Sequence, residues 1–220
     1  MALGAALPAW SPPDLIAIRE TRTRPPRIVG RVRRIDAVDA DRTDKLDVRV
    51  RNEERVSDEQ PFIVRDARAS DRVRIGVLWR ELMSTHRALD SRFVIAADGP
   101  ERYARHVHEM IRSRDARVLV AEPCDGGEIV GYLLGEVQMR APIAMPGAYG
   151  FISDVYIVES WRRAGVGTAL VREVCRWFAA RKAVSVELYV ADANPAAGAF
   201  WRLMGFEPFL RLMHLDLPAV

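Results

Sequence analysis

The chain has 220 residues, enough for one sizeable domain with an extension, and 49% of them are hydrophobic, enough for its core. Its 33 basic and 30 acidic residues are mixed along the chain, for a net charge of +3. That mixing leaves no basic stripe for nucleic acid, and no apolar run is long enough to span a membrane. Lys45 and Lys182 are the only lysines; the excess of arginine reads as codon usage. Cys124 and Cys175 make no disulfide framework and read as reduced thiols, which fits a cytoplasmic protein. The first ten residues lack a basic n-region and soon meet Pro8, which argues against a signal peptide.

Residues 1–60 stand apart as an N-terminal extension. Prolines 8, 12, 13, 25 and 26 break its first half, and it holds 12 basic and 11 acidic side chains. Such a segment has little to bury, so it is expected to be largely disordered. The alternating runs "RIVGRVRRIDAV" and "KLDVRVRN" offer a loose hairpin instead.

From Pro61 the pattern sharpens into a domain over 61–220. "PFIVRDA" predicts a strand. "ASDRVRIGVLWRELM" predicts a helix capped by Ser70 or Asp71, with Ile75, Leu78, Trp79 and Leu82 on one face. "PERYARHVHEMIRSR" predicts a second helix, with Tyr103, Val107, Met110 and Ile111 inward. "RVLVAEP" and "EIVGYLLGEVQM" predict two strands joined at Asp125-Gly126-Gly127 as a hairpin. A loop then leads to a fourth strand, "FISDVYIV". A helix follows with Leu170, Val171, Val174, Cys175 and Phe178 inward. "AVSVELYV" predicts a fifth strand, "NPAAGAFWRLMG" a short helix ended by Gly205, and "FEPFLRLMHLDL" a last strand. This order predicts a mixed α/β (α+β) sheet flanked by helices, without regular βαβ alternation.

The chemistry concentrates in "SWRRAGVGTAL", residues 160–170. Gly165 and Gly167 fall where a helix begins. Free N–H groups and the positive end of the helix dipole gather there, Arg162 and Arg163 add charge, and glycine lets an anion approach. A dinucleotide fingerprint fits poorly, because Leu170 stands where its third Gly or Ala belongs and Glu159 to Ala164 separate the glycines from the strand. Glu187, twenty residues past Gly167, sits where a ribose-binding acid would. A P-loop needs a lysine before Thr168 and has none. A plain structural turn is the remaining reading from the residues themselves.

Arg162-x-x-Gly165-x-Gly167, after the strand "DVYIV" and before an amphipathic helix, resembles the acetyl-CoA signature of the GNAT N-acetyltransferase superfamily. "ELYVADANPAAGAFWRLMGFEP" resembles that family's next strand, helix and strand, with Asn194, Phe200-Trp201 and Gly205-Phe206 at the family's spacing. The resemblance runs from 61 to 216 and implies the GNAT acyl-CoA N-acyltransferase fold. It implies that Arg162, Arg163, Ala164, Gly165, Val166, Gly167 and Thr168 hold the coenzyme pyrophosphate through backbone N–H groups. Val155, Tyr156 and Ile157 would pair with the pantetheine arm like an added strand, and a backbone N–H there would stabilise an oxyanion. Asn194 would bond to the coenzyme. Implied, too, is acetyl transfer from acetyl-CoA to a primary amine, by direct attack in a ternary complex.

Trp201, implied as a coenzyme contact, stands where many relatives carry the tyrosine that protonates the departing thiolate, and an indole N–H does not do this; the alternative is that Phe200 or Trp201 is simply a core residue. Tyr189 could take over the role, the thiolate could leave unaided, or the protein could bind acetyl-CoA as a non-catalytic regulatory module. Asp154 and Glu187 are the candidate general bases. His86, Arg87, Asp90 and Arg92 lie near the expected acceptor entrance. No metal-ligand spacing occurs among the histidines and cysteines. The expected partners are a small-molecule or protein amine and, in a homodimer, a second copy; the acceptor itself is left open.

Overall fold

In the computed structural model, which describes residues 28–29, 61–140 and 147–217, six strands form one sheet in chain order. They are β1 (Ile28–Val29), β2 (Phe62–Asp66), β3 (Ala116–Pro123), β4 (Gly131–Met139), β5 (Ala148–Ile157) and β6 (Val186–Leu188). β1 to β5 run antiparallel, and β6 joins β5 in parallel. The helices are α1 (Arg72–Leu89), α2 (Gly99–Arg112), α3 (Val166–Ala180) and α4 (Pro195–Leu203).

Apolar residues on both faces of β3 and β4 bury these strands centrally and divide the core into two layers. Val118, Val120, Tyr132 and Leu134 pack with Ile75 and Leu78 of α1 and Tyr103 and Val107 of α2. Leu119, Ala121 and Leu133 pack on the opposite face with Val166, Leu170, Val171, Val174 and Phe178 of α3 and Trp201 of α4. The α3 residues recur at helical spacing, so one face of that helix is fully buried. The β3–β4 hairpin forms, with Gly126 (φ +91°) and Gly127 (φ +123°) in conformations that side chains disfavour.

Three expectations change. The fifth strand, expected over 183–190, narrows to Val186–Leu188. The expected last strand does not form: residues 206–217 pair with no strand among the described residues. Phe209, Leu210, Leu212, Met213, Leu215 and Leu217 are 67 to 84% exposed. Of the two alternating runs upstream, Ile28 and Val29 pair with Val64 and Ile63 of β2. The remainder of 1–60 lies outside the described residues, as does 141–146 of the loop before β5.

Candidate coenzyme and acceptor site

A one-residue bulge shapes the site. Leu134 pairs with Asp154 but Gly135 pairs with Ile152, so Ser153 is an extra residue in β5. The bulge flips the alternation that follows. Ile152, Val155 and Ile157 all pack in the α3 layer, whereas Tyr156 turns to the α1–α2 layer. Asp154 turns the same way as Tyr156 and accepts a hydrogen bond from the Tyr103 hydroxyl of α2 at 2.8 Å.

β6 accompanies β5 only over Gly150–Ile152. From Ser153 to Ile157 the β5 edge facing away from β4 has no strand beside it among the described residues, which leaves room there for an extended ligand. This free edge holds Val155, Tyr156 and Ile157. Arg162 reaches back to it, its Nε donating to the Ile157 carbonyl at 3.1 Å, with its guanidinium 5.6 Å from the Tyr156 ring centre.

The edge ends at the start of α3. Arg163 (φ +66°) and Gly165 (φ +79°) are both left-handed, a backbone conformation found where successive N–H groups make an anion-binding concavity. The N–H groups of Arg163 to Thr168 make no backbone hydrogen bond among the described residues. They form a cradle beside the positive end of a 15-residue helix. Arg162, Arg163, Ala164 and Gly165 are exposed and Thr168 is partly so. Val166 is buried in the core and can offer only its backbone. A Cβ on Gly165 would meet nothing within 4 Å, so glycine serves the backbone angle there. On Gly167 it would stand 3.3 Å from Ile157 Cδ1 and Phe200 Cζ. The missing side chain of Gly167 thus also makes room for the packing of β5 against α4.

The sequence model of the acetyltransferase (GNAT) family matches residues 79–206, more than half of the chain. The protein belongs to the GNAT acetyltransferase family. Among solved structures, it is similar to a tetramutant of the BH1408 protein from Bacillus halodurans, with a TM-score of 0.62 and 21% identity over 70% of this chain and 99% of that one. It is also similar to the aminoglycoside N-acetyltransferase AAC(6')-Iy in complex with CoA, with a TM-score of 0.56 and 13% identity over 72% and 95% of the chains. An acetyltransferase from Trypanosoma brucei gives a TM-score of 0.54 and 24% identity over 71% and 99%. No curated protein gives a significant match.

In this GNAT domain the remaining expected residues have distinct places. Asn194 is the N-cap of α4 and its Oδ1 accepts from the Ala197 N–H at 3.0 Å. Its amide NH2 is what remains for a ligand. Trp201, expected at the coenzyme, is a core residue, 7% exposed and edge-on to Phe200 and Phe206 at 5.0 and 5.1 Å. Its size and apolarity suit the α3 layer, and that is where burial draws it. Glu187 is ion-paired to Arg140, which also lies 4.5 Å over the Tyr149 ring. The guanidinium therefore occupies the Glu187 carboxylate. Tyr189 follows β6, is 79% exposed, and meets Phe151 edge-on at 5.3 Å.

Asp154 differs from Glu187. Burial pushes its carboxyl above the ordinary range, only partly offset by the Tyr103 hydrogen bond. Glu81, Glu136 and Asp154 have no ion-pair partner among the described residues; Glu81 accepts from the Tyr156 hydroxyl at 3.1 Å and Glu136 from Ser153 at 2.8 Å. Sequence reasoning missed Glu81, Tyr103, Tyr132 and Glu136. Helical spacing placed Tyr103 on a buried face, but nothing local marked where its hydroxyl would go. His86 stacks on Phe93 at 5.0 Å, and Arg92 is tied to Asp90. No group of three or more metal-ligating side chains occurs among the described residues, and no described helix is long and apolar enough to cross a membrane.

Proposed function

We propose that the protein transfers the acetyl group of acetyl-CoA to a primary amine, both bound at once. The observation that carries this reading is the β5 edge, free from Ser153 to Ile157, running into the amide cradle of Arg163 to Thr168. An extended arm ending in a pyrophosphate matches a free strand edge that ends in a cluster of amides. Acetyl-CoA supplies a thioester whose carbonyl carbon the amine attacks, with release of the thiol.

The chain supplies position and proton handling. A backbone N–H on the β5 edge stabilises the oxyanion. Asp154, raised in basicity by burial, accepts the proton that an ammonium must lose before attack. Tyr189 is the phenol that serves the departing thiolate, whose pKa of about 8.5 makes the demand modest. The unpaired carboxylates Glu81, Glu136 and Asp154 favour a positively charged acceptor. Aminoglycosides therefore belong in the test panel, as substrates of fold relatives.

Incubation with acetyl-CoA and a panel of primary amines, with free thiol as readout, tests the reading. Amine-dependent thiol release supports it. Acetyl-CoA binding with no release from any amine would favour a regulatory module without turnover, a reading supported by Trp201 standing in place of the family's usual tyrosine.

A further inference from the structure

We propose that Tyr103 is a positioning residue for acetyl transfer, its hydroxyl reaching from α2 to hold the Asp154 carboxylate as the proton acceptor beside the β5 slot. This rests on Asp154 being the base, as read above.

Tyr103 Oη lies 2.8 Å from Asp154 Oδ2, and Oδ1 makes no hydrogen bond to any described residue. The Tyr103 ring is fixed. It stacks on Trp79 at 4.9 Å with 10° between the planes, stands edge-on to Tyr132 at 6.2 Å, and is 8% exposed. A ring clamped on two sides cannot follow the carboxylate, so the carboxylate is held where the hydroxyl is.

Tyr132 adds an independent observation. Its hydroxyl is sealed in the same layer with no hydrogen-bond partner in normal geometry. A core that needed only volume would place phenylalanine there, since an unmatched buried hydroxyl costs free energy. The Tyr132 hydroxyl lies in the same buried layer as the Tyr103–Asp154 hydrogen bond.

The groups facing Asp154 come from every element around it. They are Tyr103 and His106 from α2, Tyr132 and Glu136 from β4, and Tyr156 on β5, whose hydroxyl is held by Glu81 of α1. None is an arginine or lysine. Asp154 thus lacks a permanent cation, and the Tyr103 hydrogen bond is the main local contact favouring its charged form.

Carbon-13 NMR titration of the aspartate carboxyls in the full chain tests this, with the Asp154 signal assigned by Asp154→Asn. Tyr103→Phe keeps the stacked ring and should move the Asp154 midpoint up by about one unit. Incorporation of 3-fluorotyrosine at 103 strengthens the donor and should move it down, an opposite shift that a purely structural role does not produce. An unchanged midpoint in both folded proteins overturns the proposal while leaving Asp154 as base. Asp154→Asn with wild-type thiol release from acetyl-CoA and the amine panel overturns both.

Discussion

The ring of Phe178 on α3 fills the space that a side chain at Gly150 on β5 would need. A Cβ on Gly150 would stand 2.4 Å from the ring, and one on Gly135 of neighbouring β4 would stand 2.9 Å from it. The pair sets how closely α3 approaches the sheet, and so where the amide cradle lies. Gly150→Ala should destabilise the fold by about 1–3 kcal/mol through overpacking. Adding Phe178→Leu should return part of that loss. Chemical denaturation of the two single variants and the double variant checks the coupling; strictly additive losses would show that the ring and the glycine do not compete for space.

Gly165 and Gly167 should fail differently. Gly165→Ala meets no neighbour but forces a side chain into the left-handed region, at about 1 kcal/mol. It should weaken acetyl-CoA binding while the protein stays folded. Gly167→Val pushes on Ile157 and Phe200 and should lower the melting temperature as well as the affinity. Calorimetry with acetyl-CoA, beside thermal melts, separates the two; wild-type affinity in folded Gly165→Ala would count against the cradle.

Tyr189→Phe tests the departure of the thiolate. The phenol is exposed and bonded to nothing among the described residues, so its removal should leave stability and coenzyme affinity unchanged. A fall in kcat, read against an acceptor from the amine panel, assigns it the proton. An unchanged kcat means that the thiolate leaves unaided.

Arg65 joins Asp71, at the start of α1, to Glu122 on β3, with contacts of 2.6 and 2.5 Å. Burial alone would raise the Asp71 carboxyl, but hydrogen bonds from Arg65 and the Arg68 N–H hold it below its ordinary value. A depressed carboxyl contributes stability that is present above its unfolded value, near 3.8, and is lost as pH falls through the lower folded value. Arg65→Gln strands two carboxylates and should cost about 3 kcal/mol at neutral pH. That gap should narrow below pH ~4; a pH-independent gap in denaturation experiments would show that packing, not charge, is lost.

A chain beginning at Gln60 retains β2 to β6, all four helices and every residue placed at the site, and loses only β1 among the described elements. It should bind acetyl-CoA like the full chain and melt within a few degrees of it. A larger fall, or a change in oligomeric state, would assign β1 or the remainder of 1–60 a structural part.

Local pattern made much of this protein legible. The apolar spacing of Leu170, Val171, Val174 and Phe178 defines the buried face of α3, and Gly165 marks its start, because helical period and backbone freedom depend on neighbouring residues. The β3–β4 hairpin was legible for the same reason. Five features were not. The extra residue at Ser153 turns Asp154 toward α1 and α2, and only cross-strand register reveals a bulge. Tyr103 meets Asp154 across 51 positions and Arg140 meets Glu187 across 47. Trp201 went to the core and Gly167 to the β5–α4 contact, because neighbours in space competed for the same volume. The sequence by itself determined the helices, the hairpin and the cradle, which are written in short-range periodicity and glycine. The tertiary structure alone decided which carboxylate is paired with arginine and which is buried against a tyrosine, because such pairing depends on distances that only the packed sheet sets.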